Sequence, residues 1–220
     1  MRTVIFDLDG TLADTSGDLI AAANVCFRQM GLGDVLQARR DAAIALRGGR
    51  MMLRHGLAGC GRPDEDLVER YYPVFLEAYG AAIDMHTVLY PGAMAAVEAL
   101  KTRGYGVGIC TNKPEALAEQ LLRALGVREA FASMVGADTL AVRKPDPEPL
   151  REAARRAGGD PARCLLVGDS DTDRQTARAA GVPCALVTFG PAGGDMAALA
   201  PEALLGGFEE LPGVAARLIG

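Results

Sequence analysis

Tryptophan is missing from this 220-residue chain, aromatic residues make up only 5% of it, and three lysines (Lys101, Lys113 and Lys144) stand against twenty arginines. With half of its residues apolar, such a chain must pack mainly through Ala, Leu and Val. No apolar run approaches the ~20 residues that a membrane span needs, and Arg2 is followed by no apolar stretch with a cleavage site, so no span and no signal peptide is expected. A basic excess is lacking as well. The net charge of −5 argues against a nucleic-acid binder, which would present a positive surface. The five cysteines (Cys26, Cys60, Cys110, Cys164 and Cys184) are odd in number and scattered, with no CxxC or Cys/His spacing. That pattern excludes a disulfide framework and a zinc site, and fits reduced thiols in a cytoplasmic protein. Cys110, Cys164 and Cys184 read as small core residues in strands. There is no internal repeat and no low-complexity linker. The length allows one large core, or a core with a small second domain.

The most informative stretch is TVIFDLDGTLADT, residues 3–15. Val4, Ile5 and Phe6 form a short apolar run ended by Asp7, Asp9 and Gly10, as expected of a buried parallel strand. Carboxylates on alternate positions past that strand emerge at its carboxyl end, where open α/β sheets place ligands. Gly10 lets the backbone approach such a ligand, with its N–H free to face an anion. An ordinary surface Asp-Gly turn is the alternative, and an intact D-x-D-G-T behind an apolar strand argues against it.

From residue 16 to 85 strand-like runs disappear. Leu19, Ile20, Ala23, Phe27 and Met30 recur at helical spacing up to Gly31, a helix with a glycine stop. Further helices are expected over Val35–Leu46, over Met51–Leu57, and from Pro63 through Leu67, Tyr71, Phe75 and Ala78, with Pro73 kinking the last. The segment reads as a separate helical domain, or alternatively as helices covering one face of a sheet. After Tyr90-Pro91-Gly92 helix and strand alternate. Helices are expected at 92–103, 114–125, 147–157 and 172–180, and strands at 106–110, 131–135, 164–168 and 184–187. Residues 203–205 read as a sixth strand, followed by a closing helix around 214–218. Alternation of this kind implies a parallel, doubly wound, Rossmann-like α/β sheet. The expected division is a core of residues 1–15 and 86–220 with a helical insert at 16–85.

Three later stretches carry polar groups at strand ends. Thr111 and Asn112 close the strand GVGIC ahead of a helix, offering a hydroxyl, an amide and a helix N-terminus to an anion; a plain Thr N-cap is the alternative. Lys144 precedes the helix from Pro147, and alone it would read as a solvated surface lysine. In GDSDTD, Asp169 follows the apolar CLLV, and Asp173 lies one helical turn further on the same side. Asp171 is expected to be exposed. Three acids brought together would repel one another unless a hard cation such as Mg²⁺ sat among them.

DLDGTLADT, TNKPEALA, VRKPDPEPL and GDSDTDRQTARAAG, in this order over residues 7–173, resemble the four motifs of the haloacid dehalogenase superfamily, and the helical insert resembles the cap of one of its branches. The resemblance implies a Mg²⁺-dependent phosphomonoesterase working through an aspartyl-phosphate. Asp7 would be the nucleophile, Asp9 the general acid/base, Thr111 (with Asn112 and Gly10) the phosphoryl binder, and Lys144 the neutralising cation. Asp7, Asp169 and the Asp9 carbonyl would hold the metal, supported by Asp173 directly or through water. The substrate implied is a small phosphorylated metabolite, with no nucleic acid or membrane as partner and a monomer or homodimer as the assembly. A carboxylate on the leaving group would need a cationic reader. The LRGGR stretch, with Arg47 and Arg50 flanking two glycines, is the candidate, a solvated loop being the alternative. A dehalogenase would lack Asp9 and the acid cluster, and a Schiff-base hydrolase needs a cap lysine, of which residues 15–90 contain none. The alternatives are a sugar-phosphate mutase of the β-phosphoglucomutase type, a broad-specificity phosphatase of the same superfamily, and a binding protein on an inactive phosphatase fold. The last would have lost a nucleophile or metal ligand, and none is lost.

Overall fold

The computed structural model describes residues 1–191 and 196–220. The first strand, β1 (Thr3–Phe6), is entirely buried, as its unbroken apolar run requires. β2 (Ala13–Asp14) leads into α1 (Ser16–Gln29), α2 (Ala42–Ala45), α3 (Gly49–Gly59) and α4 (Glu65–Ala81), and β3 (Val88–Leu89) follows. From there α5 (Ala93–Thr102), β4 (Gly106–Cys110), α6 (Glu115–Ala124), β5 (Ser133–Val135), α7 (Glu148–Arg156), β6 (Cys164–Gly168), α8 (Asp171–Ala180), β7 (Cys184–Val187), β8 (Ala203–Leu205) and α9 (Leu211–Ile219) alternate. Among the described residues no helix is long and apolar enough to cross a membrane.

The chain forms two compact units. One contains Met1–Ala13 and Leu89–Gly220, the other Asp14–Val88. In the first, six parallel strands lie in the order β5-β4-β1-β6-β7-β8. The chain builds outward from β1 through β4 to β5, then returns to the other side of β1 for β6. That reversal creates a crevice at the carboxyl ends of β1 and β6, the place where such sheets bind ligands. Phe6 stands level with Ile109 of β4 and Val167 of β6, so the residues following these three strands share one edge. Alternate β1 side chains serve opposite faces. Ile5 joins Leu150, Ala153 and Ala154 of α7 and Ala177 of α8 in one core, whereas Phe6 packs on Phe131 and Phe208 on the other side. Gly108 is glycine because a Cβ there would lie 2.0 Å from the Ser133 hydroxyl on β5, which donates to the Ala153 carbonyl of α7. Cys110, Cys164 and Cys184 are buried free thiols, and Cys60 is exposed.

The second unit is helical. Asp18, buried in the first turn of α1, accepts hydrogen bonds from the backbone N–H groups of His86 and Thr87 and from the Thr87 hydroxyl at 2.8–3.0 Å. It thereby ties the start of this unit to its end. α4 continues through Pro73.

One expected helix is corrected. Val35–Leu46 is helical only at Ala42–Ala45. Asn24 of α1 accepts the N–H groups of Val35 and Leu36 and donates to the Leu36 carbonyl, and Asp41 accepts the Gln37 N–H. Side chains here satisfy the backbone groups that a helix would have used. The run at 131–135 is a strand only from Ser133, because Phe131 turns into the aromatic core.

Candidate active site

Asp7 sits one residue past β1, and its N–H still donates to the Val167 carbonyl of β6 at 2.8 Å, which fixes the carboxylate at the strand end. Oδ1 accepts the Leu8 N–H at 2.7 Å, and Oδ2 lies 3.1 Å from Lys144 Nζ. Asp169 follows β6 in the same way, and its Oδ1 accepts the Thr11 hydroxyl at 3.0 Å. Asp173, in the first turn of α8, is fully buried. Its Oδ1 receives Lys144 Nζ at 2.6 Å, while Oδ2 takes the Ser170 hydroxyl at 2.5 Å and the Asp169 N–H at 3.3 Å. Ser170 in turn caps α8 by accepting the Asp173 N–H. This is a reciprocal capping arrangement that locks Asp173 in place. Gly168 makes room for it, since a Cβ there would fall 2.3–2.5 Å from the Asp173 side chain. Asp171 is exposed.

Asp7, Asp169 and Asp173 thus each present an oxygen within 4.8 Å of the others. Burial raises the Asp7 pKa to about 6; Lys144 pulls it down, and the neighbouring Asp173 and Asp9 push it up. Burial, with Asp173 and Asp7 beside it, also holds Asp169 well above the usual carboxylate range. Burial works against the Lys144 ammonium, but the charges of Asp173 and Asp7 prevail and raise its pKa above the ordinary value. One buried cation among three acids leaves surplus negative charge, and the donors are all hard oxygens. That donor set fits a divalent cation such as Mg²⁺. Asp173 already takes three hydrogen bonds on its two oxygens, so Asp7 and Asp169 have more to offer a metal directly.

Thr111, after β4, gives its N–H to the Val135 carbonyl, and its hydroxyl oxygen accepts the Lys113 N–H at 3.2 Å while keeping its own proton to donate. Asn112 donates to the Lys144 carbonyl at 3.0 Å, so its amide braces the lysine loop. Gly10 has φ +81°, which explains glycine there, but its N–H donates to the Ala13 carbonyl. The expectation of a free Gly10 N–H is therefore corrected, because the turn uses it. Arg47 and Arg50 belong to the helical unit. Arg50 forks onto Glu69 and lies 3.6 Å over the Tyr72 ring, whereas Arg47 is exposed.

Two contributors are not evident from sequence reasoning. Thr11 stands within DLDGTLADT with no chemistry of its own to mark it, yet its hydroxyl donates to Asp169. Lys113 places Nζ 2.8 and 3.0 Å from the two carboxylate oxygens of Asp9. The rarity of lysine in this chain was the one available signal for it.

The haloacid dehalogenase-like hydrolase model matches residues 1–181. A phosphoglycolate phosphatase of Mesorhizobium japonicum is 40% identical over 209 residues, covering 94% of this chain and 92% of the relative. Another from Rhodospirillum rubrum is 36% identical over 214 residues, covering 96% and 89%. Among solved structures, a protein of Haemophilus somnus described as a predicted phosphoglycolate phosphatase superposes with a TM-score of 0.85, at 26% identity and with 97% of both chains covered. With acids, hydroxyl and lysine gathered at the strand ends of a parallel sheet and a family match over most of its length, this chain belongs to the haloacid dehalogenase-like hydrolases.

Proposed function

We propose that the chain is a Mg²⁺-dependent phosphomonoesterase whose substrate is 2-phosphoglycolate, released as glycolate and phosphate. The gathering of Asp7, Asp169 and Asp173, with Lys144 bridging Asp7 and Asp173, carries this reading. The relatives named for that activity at 36–40% identity support the choice of substrate.

In this reading Asp7 is the nucleophile. One carboxylate oxygen forms a bond to phosphorus as the bond from phosphorus to the glycolate oxygen breaks, and Asp9 gives its proton to the departing oxygen. Asp9 then takes a proton from water as that water attacks phosphorus, and the Asp7–phosphorus bond breaks to restore the carboxylate. Lys144 and the Thr111 hydroxyl hold the phosphoryl oxygens, the lysine as a compact charge without rigid geometry. Asp7 and Asp169 would hold the metal with their carboxylates and Asp9 with its backbone carbonyl, Asp173 steadying the group. Bound Mg²⁺ supplies a Lewis acid that draws charge from the phosphoryl oxygens. The helical unit Asp14–Val88 takes the part of the cap that selects the leaving group.

The test is phosphate release from 2-phosphoglycolate, β-glucose 1-phosphate and other small phosphomonoesters, with Mg²⁺ and with EDTA. A metal-dependent preference for 2-phosphoglycolate of about a hundredfold, ~2.7 kcal/mol of transition-state discrimination, is expected. Broad weak hydrolysis would remove the substrate assignment, and conversion of β-glucose 1-phosphate to the 6-phosphate would make the chain a mutase.

A further inference from the structure

We infer that Thr11 is a positioning residue for the metal, its hydroxyl fixing the Asp169 carboxylate in the orientation that lets Asp169 and Asp7 share one divalent cation. The inference rests on the reading that the acid cluster holds Mg²⁺, and it extends that reading to a residue that acts through Asp169.

The three acids are anchored in different ways. Asp7 Oδ1 accepts the Leu8 N–H, and Lys144 bridges Asp7 and Asp173. Asp173 also takes the Ser170 hydroxyl. Asp169 Oδ1 takes its hydrogen bond from Thr11 at 3.0 Å, the threonine being 0% and the acid 4% exposed. Thr11 stands in the turn after β1 and Asp169 at the end of β6, so this one bond crosses between the two strand ends that carry Asp7 and Asp169.

Thr11 has little freedom of its own. The turn winds on a single acceptor, the Leu8 carbonyl, which takes the N–H groups of Thr11, Leu12 and Ala13 at 3.0–3.3 Å. Branching at Cβ then restricts χ1, so the hydroxyl stands at a fixed point beside Asp169. It has one proton to give, and the carboxylate receives it. Asp169 needs such an anchor, because Asp7 and Asp173 bring acidic oxygens within 4.8 Å of its own and repel it when ionised. Without the bond the carboxylate is free to turn away from them, and metal binding has to bring it back. Groups that orient a metal ligand in this way typically contribute about 10–100-fold to affinity. A purely structural hydroxyl would support the fold and leave metal affinity unchanged.

The experiment separates these two roles. The dissociation constant for Mg²⁺ is taken from the rise in melting temperature with Mg²⁺ concentration, without substrate, for wild type, Thr11→Val and Thr11→Ser. Valine keeps the shape and loses the proton, whereas serine keeps the proton. In Thr11→Val the dissociation constant should rise by about 10–100-fold, and in Thr11→Ser it should stay within about threefold of wild type. The Mg²⁺ concentration for half-maximal phosphate release should rise in Thr11→Val as well, with kcat largely regained at saturating Mg²⁺. Thr11→Ala serves if the Val variant does not fold, and the same rise is expected. A dissociation constant within about threefold of wild type in the Val or Ala variant, whatever its melting temperature in EDTA, would overturn the inference and leave the metal reading standing. Equal weakening in the Ser and Val variants would overturn it too. A wild-type chain that Mg²⁺ does not stabilise would remove the metal reading itself, and this inference with it.

Discussion

Lys144 Nζ lies 2.6 Å from Asp173 Oδ1, both side chains being almost wholly buried, and the same ammonium reaches Asp7 at 3.1 Å. One lysine thus connects the end of β1 to the first turn of α8. Removing it leaves two buried carboxylates without their cation, which typically costs ~3–5 kcal/mol. Lys144→Met should therefore lower the melting temperature in EDTA, with Mg²⁺ restoring part of the loss. Phosphatase activity should drop by about a thousandfold or more with Mg²⁺ present. Activity within tenfold of wild type would contradict the role given to Lys144.

The acid cluster sets a pH dependence. In the folded, metal-free chain burial pushes the Asp7 carboxyl from an ordinary 3.8 up to about 6, and Asp169 is shifted the same way. Between those values the native state holds a proton that the unfolded state has released, so the stability contributed by these groups falls as pH rises. A cation binds their ionised forms. The rise in melting temperature on adding Mg²⁺ should be clearly larger at about pH 7.5 than at about pH 5. Differential scanning fluorimetry checks this, and equal shifts would contradict it.

Gly168→Ala adds a methyl group that would fall 2.3–2.5 Å from the Asp173 side chain. Asp173 must move and take Lys144 with it. The expected result is a drop of about a hundredfold in kcat together with weaker stabilisation by Mg²⁺. Unchanged values of both would show that Asp173 tolerates displacement.

The helical unit makes an independent prediction. Asp18→Ala leaves the N–H groups of His86 and Thr87 without their acceptor beside the buried Thr87, whose hydroxyl keeps the Ile83 carbonyl at 3.3 Å. A loss of about 3 kcal/mol is expected, read from urea denaturation. A loss below about 1 kcal/mol would mean that water takes over those donors.

Asp9→Asn removes the proton donor while keeping the shape of the side chain. kcat/KM, which reads the phosphorylation step alone, should fall by about 10²–10⁴, and less for substrates with good leaving groups such as p-nitrophenyl phosphate. An equal fall in kcat/KM for all leaving groups would contradict protonation of the departing oxygen by Asp9.

The strands were legible because each is a short apolar run ended by Gly, Asp or Thr, and in a sheet buried on both faces that pattern survives without tertiary help. Asp7, Asp169 and Lys144 could be placed from their positions beside such runs. What escaped depends on partners distant in sequence. The segment after Val35 has helical spacing, but Asn24, eleven and twelve residues upstream, supplies the competing hydrogen bonds. The Gly10 N–H looked free because its acceptor, the Ala13 carbonyl, depends on the path of the turn. Lys113 meets Asp9 only because β4 lies beside β1, an adjacency that no local pattern encodes.

The central claim is that Asp7 becomes phosphorylated. Turnover of 2-phosphoglycolate with Mg²⁺, quenched with borohydride, would reduce an aspartyl-phosphate to homoserine, and mass spectrometry of the N-terminal peptide would locate it. The account predicts the homoserine mass at position 7, dependent on substrate and absent with EDTA. Full turnover with an unmodified Asp7, or reduction at another carboxylate, would contradict it.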